Sequence, residues 1–338
     1  MTKAEARGAR TDALLLTVLG VAVLLAFVAS LLVGRTLGSA ADFLALLFEG
    51  GDAIELLIFQ EVRLPRALLA LMIGATLGLC GAAMQGFLRN PLAEPGIVGV
   101  SASASFGAVI AFYFGLASLF PIALPLGGMI GAGLGVLTVQ LLAGRGGSPL
   151  TFILAGVAVT SFAGALTALA LNMAKNPFAA MEIMFWLMGS LNDRSFDHVW
   201  LAAPFMLAGW ALLLTTGRAL DALTLGEETA ATLGFDLAKV QNRLILGTAL
   251  SVGAATAVAG AIGFVGLVVP HLLRRFVGNR PSALLPASAL GGAALLLTAD
   301  VAVRLLSPER ELKLGVLTAL IGAPFFLYLI LRERGRIT

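Results

Sequence analysis

Between Glu94 and Arg145 the chain runs for fifty residues without one charged side chain. No other feature restricts its possible folds so sharply. A soluble domain carries about 25% charged residues, and a gap of this length leaves no polar face to set in water. It is also too long for one helix, because at about 1.5 Å per residue it would extend ~75 Å. A bilayer core takes ~20 residues per crossing, so two crossings fit, with Pro121 and Pro125 at the reversal. Composition agrees along the whole chain, where 59% of residues are hydrophobic and 12% charged. The fold class expected is therefore all-α: a polytopic membrane protein with about ten transmembrane helices.

The remaining uncharged runs supply the other crossings. Residues 13–33 follow Lys3, Arg7 and Arg10, and the run is longer than the ~7–15 residues of a cleaved signal's apolar core, so it reads as the first span. Residues 67–88, 150–174, 199–217, 283–303 and 314–331 read likewise. Residues 178–191 are apolar but short and carry Glu182, which suits a half-helix lying outside or re-entering the membrane. Residues 244–273 lack formal charge and admit one crossing or two. One crossing would place Arg274, Arg275 and the tail of Arg332, Arg334 and Arg336 outside, against the positive-inside rule. A break at Gly260, Gly263 and Gly266 makes two and returns both clusters inside. Both termini are then inside, with fourteen Lys and Arg against eight outside, of 22 in all. Glycines at 74, 78, 81 and 86 of span two read as helix-packing positions.

Several functions are excluded. Lys and Arg are scattered at the ends of apolar runs, the mark of membrane topology and lipid contact, with no nucleic-acid-binding face. Cys80, His198 and His271 are too few for an ordinary metal site, and no cofactor is expected. None of Lys3, Lys175, Lys239 and Lys313 follows a glycine, so the Gly-Lys-Ser/Thr loop that cradles nucleotide phosphates is absent. No paired carboxylates or Ser/His set stand within the spans to support an enzyme.

Three stretches go beyond a generic membrane protein. They are Arg63-Leu64-Pro65-Arg66; Arg89-Asn90-Pro91-Leu92-Ala93-Glu94-Pro95-Gly96; and Gly263-Phe264-Val265-Gly266-Leu267-Val268-Val269-Pro270-His271. With Leu225-Gly226-Glu227-Glu228, Ala299-Asp300 and Gly322-Ala323-Pro324-Phe325-Phe326, the chain from about residue 63 onward resembles the FecCD-type permeases. These are the membrane subunits of ABC importers for iron-siderophores, haem and cobalamin. One departure is Lys313, where the family usually has proline.

The resemblance implies a single transmembrane permease domain over residues 1–338, in a bacterial inner membrane, working as a homodimer. It implies two ABC ATPase subunits inside, a periplasmic substrate-binding protein outside, and a metal-chelate cargo, first an iron-siderophore, otherwise haem or cobalamin. It assigns Arg63, Arg66 and Arg304 to docking of the binding protein, a role guanidinium forks suit; Arg304 also has Asp300 four residues before it. Residues 218–243 become the cytoplasmic coupling segment, with Leu225, Gly226, Glu227, Glu228, Ala230, Leu233 and Gly234 seated on the ATPase. Thr224 followed by Glu227 has the spacing of a capping box opening a short helix over 227–233. Asn90 and Leu92 become cytoplasmic gate residues. Met173, Phe185, Trp186 and Met188, around the now periplasmic half-helix, become pathway and outer-gate residues with a soft lining. An ion-driven secondary transporter is the rival reading. Such proteins carry ionisable relays within their spans, and here Asp300 is the one acidic candidate well inside.

Overall fold

The computed structural model describes residues 3–33, 53–116, 120, 122–144, 149–174, 177–306 and 312–334. Pro121, Arg145, Lys175 and Arg336 lie outside the described residues. Within them every regular element is a helix. In chain order these are α1 (Lys3–Leu32), α2 (Ala53–Ile58), α3 (Leu64–Phe87), α4 (Val100–Tyr113), α5 (Ala123–Ala143), α6 (Pro149–Asn172), α7 (Pro177–Leu187) and α8 (Phe196–Leu214). They continue with α9 (Gly217–Leu223), α10 (Glu227–Thr232), α11 (Leu237–Ala259), α12 (Val265–Leu273), α13 (Pro281–Leu306) and α14 (Leu314–Arg334). A π-helical turn, Phe59–Arg63, joins α2 to α3, and Pro65 follows in the first turn of α3.

Among the described residues, eight helices are long and apolar enough to cross a bilayer. The sequence led us to expect about ten. The difference lies in spans three and eight. Span three is only the 14 residues of α4, about 21 Å long, and span eight is only the nine of α12. Each is short because it starts inside the bundle. The segment after α3 dips back inward, and its 3-10 turn Pro95–Val98 brings Pro95 against Gly266 in α12, beside the Leu77 carbonyl in the middle of α3. The break expected in the 260s is real: residues 260–264 are not helical, and α12 begins after them. Irregular backbone at this depth is tolerated only inside protein or beside a water-filled cavity.

The core is built on α3 and α11, whose apolar stretches are 83% and 78% buried, whereas α1 is only 11% buried and lies at the periphery. Helices here approach through small residues. Gly74 and Gly78 of α3 meet the backbones of Gly292 and Ser288 in α13, and Gly209 of α8 meets Gly247 of α11. Lipid tails give no hydrophobic drive between helices, so close backbone contact supplies the attraction. α3 and α13 run antiparallel, which puts Arg63, Arg66, Asp300 and Arg304 at one end of the bundle. Arg89, Arg280 and the α9–α10 segment occupy the other.

Candidate functional site

At the first end the three expected docking arginines converge, but each has internal partners. Arg66 holds Asp300 bidentately, Nε to Oδ1 at 3.0 Å and to Oδ2 at 3.1 Å, with Nη2 to Oδ1 at 2.8 Å. Arg304 takes the other carboxylate oxygen at 2.9 Å. It also donates to the Ser30 carbonyl at 2.9 Å, the Val33 carbonyl at 2.5 Å and the Ser30 hydroxyl at 2.7 Å. Arg63, buried, donates to the carbonyls of Leu31 and Leu32 at 2.9 and 3.3 Å. These carbonyls close α1, where the last four have no helical partner and carry the negative end of the dipole. The arginines thus form a cationic cap that fastens the peripheral α1 to α3 and α13. The sequence places Asp300 four residues before Arg304, but its spacing could not reveal that α1 ends beside Arg63 and Arg304.

At the opposite end lies the coupling segment expected at 218–243. It consists of α9, α10 and the first turns of α11, which already begins at Leu237. The expected capping box is not formed. Thr224 instead donates its hydroxyl to the Asp221 carbonyl at 2.6 Å, and Gly226 stands at the start of α10 without a side-chain cap. Glu227 and Glu228 occupy the first turn, where acidic side chains complement the dipole. Ala230 is buried, while Leu225 and Leu233 are 67% and 60% exposed on either side of it. Gly234 follows with φ of 89°. Asp236 opens α11 by accepting from the Lys239 backbone N–H at 3.1 Å. That bond, joined by the Lys239 ammonium, holds its carboxyl below the usual carboxylate range.

The gate candidates adjoin this segment. Asn90 accepts the Leu92 N–H at 2.9 Å and so shapes the turn after α3. Arg89, beside it with φ of 49°, reaches Glu227 at 3.1 Å. Both partners are about half exposed, so this pair contributes about 0–1 kcal/mol; it sets geometry more than stability.

The pathway candidates are less united. Met188 lines an apolar groove of about 530 Å³ with Leu187, Ala261, Val316, Leu320 and Pro324, between the end of α7 and α14. Phe185 and Met173 are exposed outside it. The Lys313 ammonium lies 5.8 Å from the Phe185 ring, a cation–π contact that joins α7 to the entry of α14. Backbones interlock here: Gly189 (φ 74°) abuts the Ala261 carbonyl and Gly260 (φ 73°) abuts that of Trp186. Ser190 N–H donates to Ala259 at 2.8 Å, and Gly315 N–H to Gly189 at 3.2 Å. A side chain at either positive-φ glycine would have neither the backbone conformation nor the room.

Residues without an assigned role in the sequence join these parts. Glu94 accepts the Phe264 N–H at 2.6 Å, and Arg274 donates to Gln85 at 2.6 Å. The available signal was Glu94 itself, an acidic residue set between two prolines at the edge of the longest uncharged run.

Comparison with known proteins agrees with this architecture. The pattern of the FecCD transport family matches residues 22–332. The hemin transport system permease protein HmuU of Yersinia pestis is 40% identical over 284 residues, covering 82% of this chain and 84% of that one. The cobalamin import system permease protein BtuC of Halobacterium salinarum is 43% identical over 280 residues, 82% and 74% of the two chains. A solved structure described as an inward-facing conformation of a metal-chelate type ABC transporter superposes with a TM-score of 0.83 at 33% identity. It covers 94% of this chain and 98% of that one.

Proposed function

The chain belongs to the FecCD transport family, and from that membership we propose that it is the permease of a binding-protein-dependent importer of a metal chelate, powered by a separate ATPase. The family is one of multi-pass ABC permeases, which are not themselves catalytic. The cargo is an iron chelate of the siderophore type, with haem and cobalamin the other members of the same class. Two copies enclose one path in a bacterial inner membrane with both termini in the cytoplasm. The large apolar side chains that remain exposed on α6 and α14, such as Phe162 and Leu327, then face lipid or the second copy.

The observation that carries the reading is the pair of leucines at the coupling end. Leu225 and Leu233 stand exposed beyond the spans, with Glu227 and Glu228 between them. Exposed leucines flanking an acidic turn suit the groove of a soluble partner. ATP-driven closure of that partner displaces α10, and the path opens alternately to either side because partners bind the two states unequally. The binding protein docks at the end braced by Arg63, Arg66 and Arg304. Asn90 and Leu92 gate the inner side; Met173, Phe185, Trp186 and Met188 bound the outer path.

An ion-driven carrier finds little support, since the Asp300 carboxylate is held by two guanidiniums and is not an open relay. The decisive experiment is co-purification. Glu227→Lys with Glu228→Lys is expected to lower retention of the ATPase subunit at least about tenfold, by like-charge repulsion and lost pairing, while leaving the chain folded. Equal retention by the variant and the unsubstituted chain overturns the reading. Titrating the cognate binding protein with haem, cobalamin and ferric siderophores identifies the cargo.

A further inference from the structure

Two helices begin inside the bundle, α4 and α12, and one side chain spans the gap between the segments that lead into them. Glu94 lies on the re-entrant segment, six residues before α4. Its Oε1 accepts the N–H of Phe264 at 2.6 Å. Phe264 precedes α12 with φ of 67° and has no side-chain cap of its own. The first N–H groups of a helix lack internal partners and carry its positive end, so a carboxylate from 170 residues away fixes where α12 starts. Around this bond Pro95 packs on Gly266, and the Gln85 amide donates to the Gly266 and Leu267 carbonyls at 3.3 and 3.4 Å. The bracket has two outward arms. Arg89, on the same re-entrant stretch, pairs with Glu227 of α10. The Phe264 ring lies against Gly322 of α14.

We propose that Glu94 is a positioning residue of the transport cycle: it locks the re-entrant segment to the start of α12, so that displacement of α10 is carried to α12 and, through Phe264, to α14. The proposal rests on the reading of α10 as the seat of the ATPase. Without the lock, α10 and its loop move while α12 stays, and nucleotide is consumed without moving the path.

Two readouts test it in lipid nanodiscs. The first is amide hydrogen exchange at residues 264–268 of the chain alone. The second is the ATP-driven fluorescence change of bimane on Leu320→Cys in the full complex of chain, ATPase and binding protein; Cys80 is buried and does not compete for label. Glu94→Ala is expected to speed exchange about tenfold or more, the effect of losing a charge-assisted hydrogen bond. It should also cut the bimane change about fivefold while ATP hydrolysis stays within about twofold. Glu94→Gln, which keeps an acceptor in place, should restore most of both signals. Should Glu94→Ala fail to assemble, Glu94→Asp, shorter by one methylene, is read in the same two ways. Faster exchange with a full bimane change would reduce Glu94 to a local cap and overturn the proposal, as would unaltered exchange. No ATP-driven signal in the unsubstituted complex would instead remove the coupling reading, while the exchange result for Glu94 would still stand.

Discussion

Asp300→Ala is expected to cost about 3–5 kcal/mol of stability, because it strands two largely covered cations around a vacated, buried site. The Asp300 side chain is 1% exposed, Arg66 16% and Arg304 14%, so water replaces the lost carboxylate only in part. Arg63 adds a third cation at the same end, and the carbonyls closing α1 offset only part of that charge. The measurement is the thermal midpoint of the solubilised protein, followed by the soluble fraction on size exclusion. Asp300→Asn should fall between, since one oxygen remains to accept from Arg66 but the charge is gone. Arg304→Ala should cost less than Asp300→Ala, because the bidentate Arg66 pair survives it. The double variant Asp300→Ala with Arg304→Ala should cost less than the two single effects added, the sign of a direct coupling. An Asp300→Ala protein that melts with the unsubstituted chain would show that the cluster contributes nothing.

The cluster also marks where sequence reasoning ended. Arg63 and Arg66 stand three apart at a helix start, and Arg304 follows Asp300 by four. Those spacings single out residues that the fold brings together at one end of the bundle. They carried no information on the long-range partner, the last turn of α1, some thirty residues before Arg63. Charge gaps and glycine breaks were equally good at finding helices: the break after Ala259 and the short helix ending before Gly234 are where the pattern puts them. Hydropathy counts apolar residues along the chain, so it marked the stretches of α4 and α12 without revealing that each is completed by irregular backbone packed against Leu77 and Gly266. The capping spacing at Thr224 failed for a local reason, since the hydroxyl found the Asp221 carbonyl within its own turn.

The second large effect is expected at Gly78. A β-carbon there would meet the backbone carbonyl of Ser288, and at Gly81 that of Gly266. Neither neighbour is a side chain that can rotate away, so the helices themselves must separate. Gly78→Ala should cost about 1–3 kcal/mol by overpacking, and Gly78→Leu more, enough to deplete folded protein in the membrane. Gly86, two turns further along the same helix, provides the control. Its nearest neighbour is the flexible Leu220 side chain at 3.4 Å, so Gly86→Ala meets ordinary contact and gains helix propensity of up to about 1 kcal/mol. Both substitutions add the same methyl to the same helix and leave its hydropathy equal. A difference between them isolates the α3–α13 approach from any general effect on insertion. If the two variants express and melt alike, close backbone contact is not what binds α3 to α13, and the glycine spacing that first suggested it has another cause.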